Sequence, residues 1–202
     1  MADETEVTIE GVRLSYPHLF KPRENERDDG TTVMSYQASF LMEKDTDLTE
    51  KNKKRLNKAA LAAMEAMFGS DRKKWPKLAP EKKFLRDGDY KDDDGYVGHE
   101  YVSTNSTERP VIVNRKRKPV EPNEPQAPYA GCYVNAVIRV WAQNNKYGKR
   151  LNAEVKAVQF VRDGEAFSSR RPVDPNEAFQ EIGEDEDDLD SIGGDDDEDS
   201  VI

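Results

Sequence analysis

Read by parity, the stretch from Cys132 to Ala142 leaves little choice about what this chain can build. Its even positions, Cys132, Val134, Ala136, Ile138, Val140 and Ala142, are all apolar, and its odd positions are Tyr133, Asn135, Val137, Arg139 and Trp141. Period two belongs to a strand with one buried face. The other face sets two aromatic rings, an amide and a guanidinium in a line, an unusual set for a surface that only meets water. Asn144-Asn145-Lys146-Tyr147-Gly148 supplies turn chemistry, and a second strand follows from about Lys149 to Arg162. On it Leu151, Ala153, Val155, Ala157 and Val161 take odd places with Gln159, while Asn152, Glu154, Lys156 and Arg162 share the even places with Val158 and Phe160. The pair predicts a long hairpin with one dry face and one polar, basic, aromatic face.

The rest of the body reads mainly as strands. Glu6 to Leu14 alternates with a change of phase around Gly11, as a bulge produces, and Pro17 and Pro22 bracket a loop. Val33 to Met42 puts Met34, Tyr36, Ala38, Phe40 and Met42 on one face. From Asp47 to Phe68 the period becomes helical: Leu56, Ala60, Ala63, Met64 and Met67 recur at three- and four-residue steps, Lys51, Lys53, Lys54, Arg55 and Lys58 take other positions, and Gly69 ends the run. This stripe is expected to cover an end of the sheet. Asp71 to Asp94 is polar and reads as irregular, Tyr96 to Ser103 and Pro110 to Asn114 are short strands, and Arg115-Lys116-Arg117-Lys118 opens a basic, proline-rich loop reaching Pro128. Five or so strands with a helix inserted between them suit a mainly β fold, an OB-like, partly open five-stranded barrel. Such barrels bind oligonucleotides through one face and its loops.

Charge divides the chain more sharply than it describes the whole. The net charge is -10, from 41 acids and 31 bases. Residues 172–202 carry fourteen of those acids and no base, which leaves 27 acids against 31 bases, a net of +4, in residues 1–171. A mildly basic body of residues 1–171, with its helical insertion at about 47–68, is therefore expected to carry a disordered acidic tail of residues 172–202. The tail also explains why only 35% of the residues are hydrophobic, since it dilutes a body with a credible core. Twelve carboxylates from Glu181 onward imitate a short polyphosphate and could compete for the body's basic surface.

Several classes of function are unfavoured. The single Cys132 permits no internal disulfide and no cysteine zinc cluster, and His18 and His99 are too few for another zinc site, so no metal or cofactor is expected. Asp92-Asp93-Asp94-Gly95 invites a calcium loop, but with Gly95 in sixth place the first and twelfth places fall on Tyr90 and Tyr101. No apolar run spans a bilayer, and the acidic start has neither the basic nor the apolar region of a signal peptide, so a soluble intracellular protein without membrane contact is expected. A metal-dependent nuclease using Asp87, Asp89 and Asp92 to Asp94 is the rival reading, weakened because these acids lie in one polar loop and no nucleotide loop or nucleophile constellation accompanies them. A second rival is a protein-only adaptor whose tail mimics DNA.

The hairpin favours binding without catalysis. Single-stranded nucleic acid is held by aromatic rings on which bases stack, about 1–3 kcal/mol each, and by Lys and Arg that follow the phosphates. The candidate residues are Tyr133, Arg139, Trp141, Lys146, Tyr147, Lys149, Arg150 and Lys156 on the hairpin, with Arg115, Lys116, Arg117 and Lys118 from the basic loop.

Pro128-Tyr129-Ala130-Gly131-Cys132-Tyr133-Val134-Asn135, Val158-Gln159-Phe160-Val161-Arg162-Asp163-Gly164-Glu165 and Tyr16-Pro17-His18-Leu19-Phe20 resemble a phage family once known only as a domain of unknown function. Its members are phage single-stranded DNA-binding proteins, and the resemblance covers roughly residues 5–168. It implies an OB-type fold, single-stranded DNA as ligand, no enzymatic activity, and a role in phage DNA replication, recombination or repair in the cytoplasm of the infected host cell. The tail is similar in kind to those through which such proteins recruit replication or recombination partners, here by residues 181–202. Many of those tails close on an aromatic residue, whereas this one ends Asp199-Ser200-Val201-Ile202, which puts docking in an aromatic-binding pocket in doubt. Whether the chain forms a homo-oligomer is left open.

Overall fold

The structure, a computed structural model, describes residues 3–26 and 30–167. The acidic stretch 172–202 lies outside the described residues. Among the described residues, seven strands and one long helix follow one another as β1 (Glu6–Glu26), β2 (Thr32–Glu43), α1 (Asp47–Phe68), β3 (Leu85–Asp87), β4 (His99–Ser106), β5 (Val111–Val113), β6 (Tyr133–Asn145) and β7 (Gly148–Arg162). They form one sheet in the order β3-β4-β2-β1-β6-β7-β5. Five long strands match the expected barrel strands, and two three-residue strands, β3 and β5, end the sheet on either side. The sheet curls without closing. Its two arms approach where Lys83, just before β3, makes a single parallel bridge to Leu151 of β7.

β1 makes the curl. Its first part, Glu6 to Arg13, pairs with β6, and its second part, Arg13 to Glu26, pairs with β2, so one strand serves both arms. The phase change at Gly11 is a bulge: Ile9 faces Ala136 and Val12 faces Val134, leaving Glu10 and Gly11 opposite Asn135. Gly11 has φ +61°, a left-handed conformation in which any side chain would be strained, which is why glycine suits the bulge. The expected loop between Pro17 and Pro22 is instead irregular strand. The ladder with β2 slips between Ser15 and His18 and again between His18 and Arg23, and both prolines, which lack the N–H a ladder uses, fall in the slips.

α1 has the expected bounds. Thr46 caps it, its side chain accepting from Thr49 N, and Gly69 ends it at φ +81°. Leu56, Ala59, Ala63 and Met64 are buried against the sheet, but Met67 is 45% exposed. Asn52, 1% exposed, clamps the bulge by accepting from Glu10 N and donating to Glu10 O.

On β6 the even positions Val134, Ala136, Ile138, Val140 and Ala142 are all buried, as the alternation requires. β7 departs from strict parity. Val137 faces Ala157 while Ile138 faces Val155, so Lys156 is an extra residue. Each residue beyond it turns to the other face. Val158 and Phe160, expected on the polar face, are therefore core at 0% and 2% exposure, and Gln159 and Val161 turn outward. Cys132 is fully buried, and burial pushes its thiol up to about 11.

Candidate nucleic-acid interface

Where the sheet fails to close, its two arms face each other across a cleft of about 320 Å³. One wall comes from the segment around β3, with Lys82, Lys83, Phe84 and Arg86, and from Ser103, Thr104 and Asn105 of β4. The other wall is the hairpin, with Trp141 of β6 and Arg150 to Ala153 of β7. Among the described residues Glu81 is the one acid in the lining. Among the described residues, too, Lys82, Lys83 and Arg150 have no acidic partner. Arg86 is held in place by its own backbone, donating from Nε to Lys83 O at 2.9 Å and from Nη2 to Glu81 O at 3.0 Å. Three cations without an acidic partner among the described residues, and a fixed guanidinium, thus line the cleft together with a half-buried indole.

Ser103, Thr104 and Asn105 also floor a second cleft of about 370 Å³, which continues across β2 and β1 to Gln37, Ser39, Tyr16, His18, Arg23 and Lys91. The groove therefore runs across β4, β2 and β1. Ser39 and Ser103 pair across it between the buried residues Ala38, Phe40, Val102 and Thr104.

At its far end Tyr16 is 53% exposed with φ +47°, a left-handed conformation uncommon for a bulky residue and characteristic of functional positions. Its hydroxyl donates to Asp93 Oδ2 at 2.8 Å, which raises the phenol above its ordinary pKa. Lys91 sits 3.2 Å from the Tyr96 ring centroid and 4.7 Å from that of Tyr16. Burial pushes the Lys91 ammonium down, but its contacts with Tyr96 and Asp93 outweigh burial and raise it. A third, more apolar cleft lies on the other side of Tyr16, against Tyr96, Ala130 and Phe167.

The structure divides the residues expected to bind nucleic acid. Trp141 and Arg150 line the first cleft. Lys146 and Tyr147 form the hairpin turn beside it, with the Lys146 ammonium 4.8 Å from the Tyr147 ring centroid. Lys149 turns toward the end of α1, 6.0 Å from the Phe68 ring centroid. Midway along the hairpin, Arg139 pairs with Glu154 at 3.7 Å and Asp3 at 3.8 Å, and Lys156 pairs with Glu108 at 2.9 Å.

Tyr133 lies at the other end of the hairpin, its ring covered by the Arg162 guanidinium at 3.4 Å. Arg115 is there too, donating to Val161 O and lying 5.6 Å from the Phe160 ring centroid. Lys116, Arg117 and Lys118 form an exposed turn in which Asn114 Oδ1 accepts from Lys116 N and Lys118 N. β5 pairs with β7 at Ala157 to Gln159, so this basic loop is several strand residues from Arg150, roughly 25 Å at about 3.3 Å per residue.

Sequence alternation missed Lys82, Lys83, Arg86, Lys91, Arg23 and Tyr16. They lie in irregular chain, in the three-residue strand β3 or in the slipped part of β1, where no period marks a face. The basic residues of 71–94 were visible only as composition, and Tyr16-Pro17-His18 only through the family resemblance. Among the described residues no group of three or more His, Cys, Asp or Glu could hold a metal ion. Asp87 and Asp89 instead share Lys44, 2.6 Å from each, whose ammonium holds both carboxyls below the usual carboxylate range.

Comparison with known proteins gives consistent matches. The family model described as Enterobacter phage Enc34, ssDNA-binding protein, matches residues 5–190. Protein p50 of Acyrthosiphon pisum secondary endosymbiont phage 1 is 34% identical over 174 residues, covering 80% of this chain and 86% of that protein. Among solved structures, the single-stranded DNA-binding protein from bacteriophage Enc34 in complex with ssDNA is similar at a TM-score of 0.68 and 34% identity, covering 81% of this chain and 90% of that one. The single-stranded DNA-binding protein gp2.5 of bacteriophage T7 has a TM-score of 0.52 at 13% identity, covering 88% of this chain and 96% of that one, a likeness of fold alone.

Proposed function

Because the chain belongs to the phage Enc34 ssDNA-binding protein family, we propose that it binds single-stranded DNA, with little sequence preference, in the groove running from the Trp141 and Arg150 cleft across β4 and β2 to Tyr16. It is a binding protein and not an enzyme, as its relatives are. One observation carries the placement: Lys82, Lys83 and Arg150, without an acidic partner among the described residues, stand on two walls of a cleft that is continuous, through Ser103 to Asn105, with a second cleft bearing Lys91, Arg23 and Tyr16. Cations lining one continuous groove can follow a phosphate backbone, and Tyr16 and Tyr147, 53% and 48% exposed, can take bases on their rings.

The protein acts in the infected host cell, in its cytoplasm, during phage DNA replication or recombination. Among the described residues no helix is long and apolar enough to cross a membrane. The acidic stretch 181–202 competes with DNA for the basic groove and recruits replication or recombination proteins. Its twelve carboxylates against a body of net charge +4 support that reading.

Fluorescence anisotropy of labelled oligo-dT at two salt concentrations tests the binding. Affinity should fall steeply with salt, by about 0.7 in the logarithmic slope for each phosphate contact. Absence of binding at low salt would contradict the function. Deleting residues 181–202 should tighten binding at low salt, and unchanged or weaker affinity would remove the competition.

A further inference from the structure

Resting on the DNA-binding reading above, we infer that Trp141 acts through its indole N–H, as a donor to a phosphodiester oxygen of the bound strand, and that the cleft between β4 and β7 is a phosphate site. Trp141 lines this cleft, yet its Nε1 is closed off from solvent and meets no acceptor among the described residues. A buried donor without a partner is destabilising, and native structures keep few of them. The other indole of the chain shows the contrast, since Trp75 Nε1 donates to Gly69 O at 2.7 Å.

The surroundings identify the missing acceptor. Lys82, Lys83, Arg86 and Arg150 make the lining cationic, so the ligand group that suits it is an anionic oxygen rather than another donor. A phosphodiester has two such oxygens, enough to meet the N–H and the opposing cations together. Lys83 and Arg150 are exposed, long and without ion-pair partners among the described residues, so they can turn toward a phosphate bound at the N–H. The indole N–H adds a contact that the described residues of the free protein leave unmade.

The test replaces Trp141 in the full chain with β-(3-benzothienyl)alanine, which keeps the bicyclic ring and puts sulfur where the N–H was, and compares it with Trp141→Phe. Affinity is measured for oligo-dT and for an abasic oligonucleotide of equal length, at several salt concentrations. The expected result is a loss of about tenfold for the benzothienyl protein on both ligands, the usual size for a hydrogen bond to a charged group, with the salt slope unchanged. Trp141→Phe should lose at least as much. Wild-type affinity in the benzothienyl protein would overturn the inference, because the ring alone would then suffice. A loss confined to oligo-dT would assign the acceptor to a base, and a reduced salt slope would mean that the indole acts by holding a cation; either contradicts a phosphate bond. Failure of the unaltered protein to bind either ligand would instead remove the DNA-binding reading, and this inference with it.

Discussion

The two ends of the β6–β7 hairpin are equally basic and aromatic in sequence, but they are built for different work. At the Tyr133 end the polar groups are spent on the fold: Arg162 covers Tyr133, Arg115 ties the loop to Val161, and Asn114 organises the turn of Lys116 to Lys118. At the Trp141 end Lys82, Lys83 and Arg150 have no acidic partner among the described residues, and a second wall from the β3 region stands opposite the hairpin. Lys116, Arg117 and Lys118 have no ion pair among the described residues either, so what separates the ends is the opposite wall: the cleft beside Lys116 and Lys118 is lined by their own loop, Glu124 included, whereas a separate element stands opposite Trp141. Within the hairpin, ion pairing separates Arg139 and Lys156 from Arg150, which has no ion pair among the described residues.

Substitutions can break or sharpen this contrast. The largest effect should come from Lys82→Gln, Lys83→Gln and Arg150→Gln together: a fall in oligo-dT affinity on the order of thirtyfold or more at low salt, with the logarithmic salt slope reduced by about two. Anisotropy titrations at four salt concentrations measure both quantities, and an unchanged slope would mean that these residues do not touch phosphates. Next should be Tyr16→Ala, which removes a stacking ring worth about 1–3 kcal/mol and so about tenfold in affinity, with the salt slope preserved. The smallest should come from Lys116→Gln, Arg117→Gln and Lys118→Gln together. Although they remove the same charge as the first set, they should change affinity by less than about threefold, from the long-range field alone. Equal losses from the two triple variants would erase the distinction between the ends.

Much of the architecture could be read from the sequence. The parity of Cys132 to Ala142, the phase change at Gly11 and the helical period of 47–68 each report a local pattern, and each is found where it was expected. What stayed hidden depended on pairing across the chain. The extra residue at Lys156 turns Val158 and Phe160 into the core, and only the register with β6 reveals it. The slipped ladder that lets β1 run through Pro17 and Pro22 depends likewise on β2. The interface was half legible: Trp141 stood out by alternation and Arg150 by its place beside the basic turn, but the wall opposite them comes from irregular chain and the three-residue β3 some sixty residues earlier, in Lys82 to Arg86. Local periodicity cannot show which loop a curled sheet brings to its open edge.

The central claim is that the strand lies in the groove at the Trp141 end of the hairpin. Ultraviolet crosslinking of the intact protein to oligo-dT carrying 5-iododeoxyuridine, followed by mass spectrometry of the crosslinked peptides, tests it most directly. The account predicts crosslinks to Tyr16, Tyr147 and the peptides containing Lys82 to Arg86 and Arg150. Crosslinks concentrated on Tyr133 and Arg115 to Lys118, with the groove residues unlabelled, would contradict it.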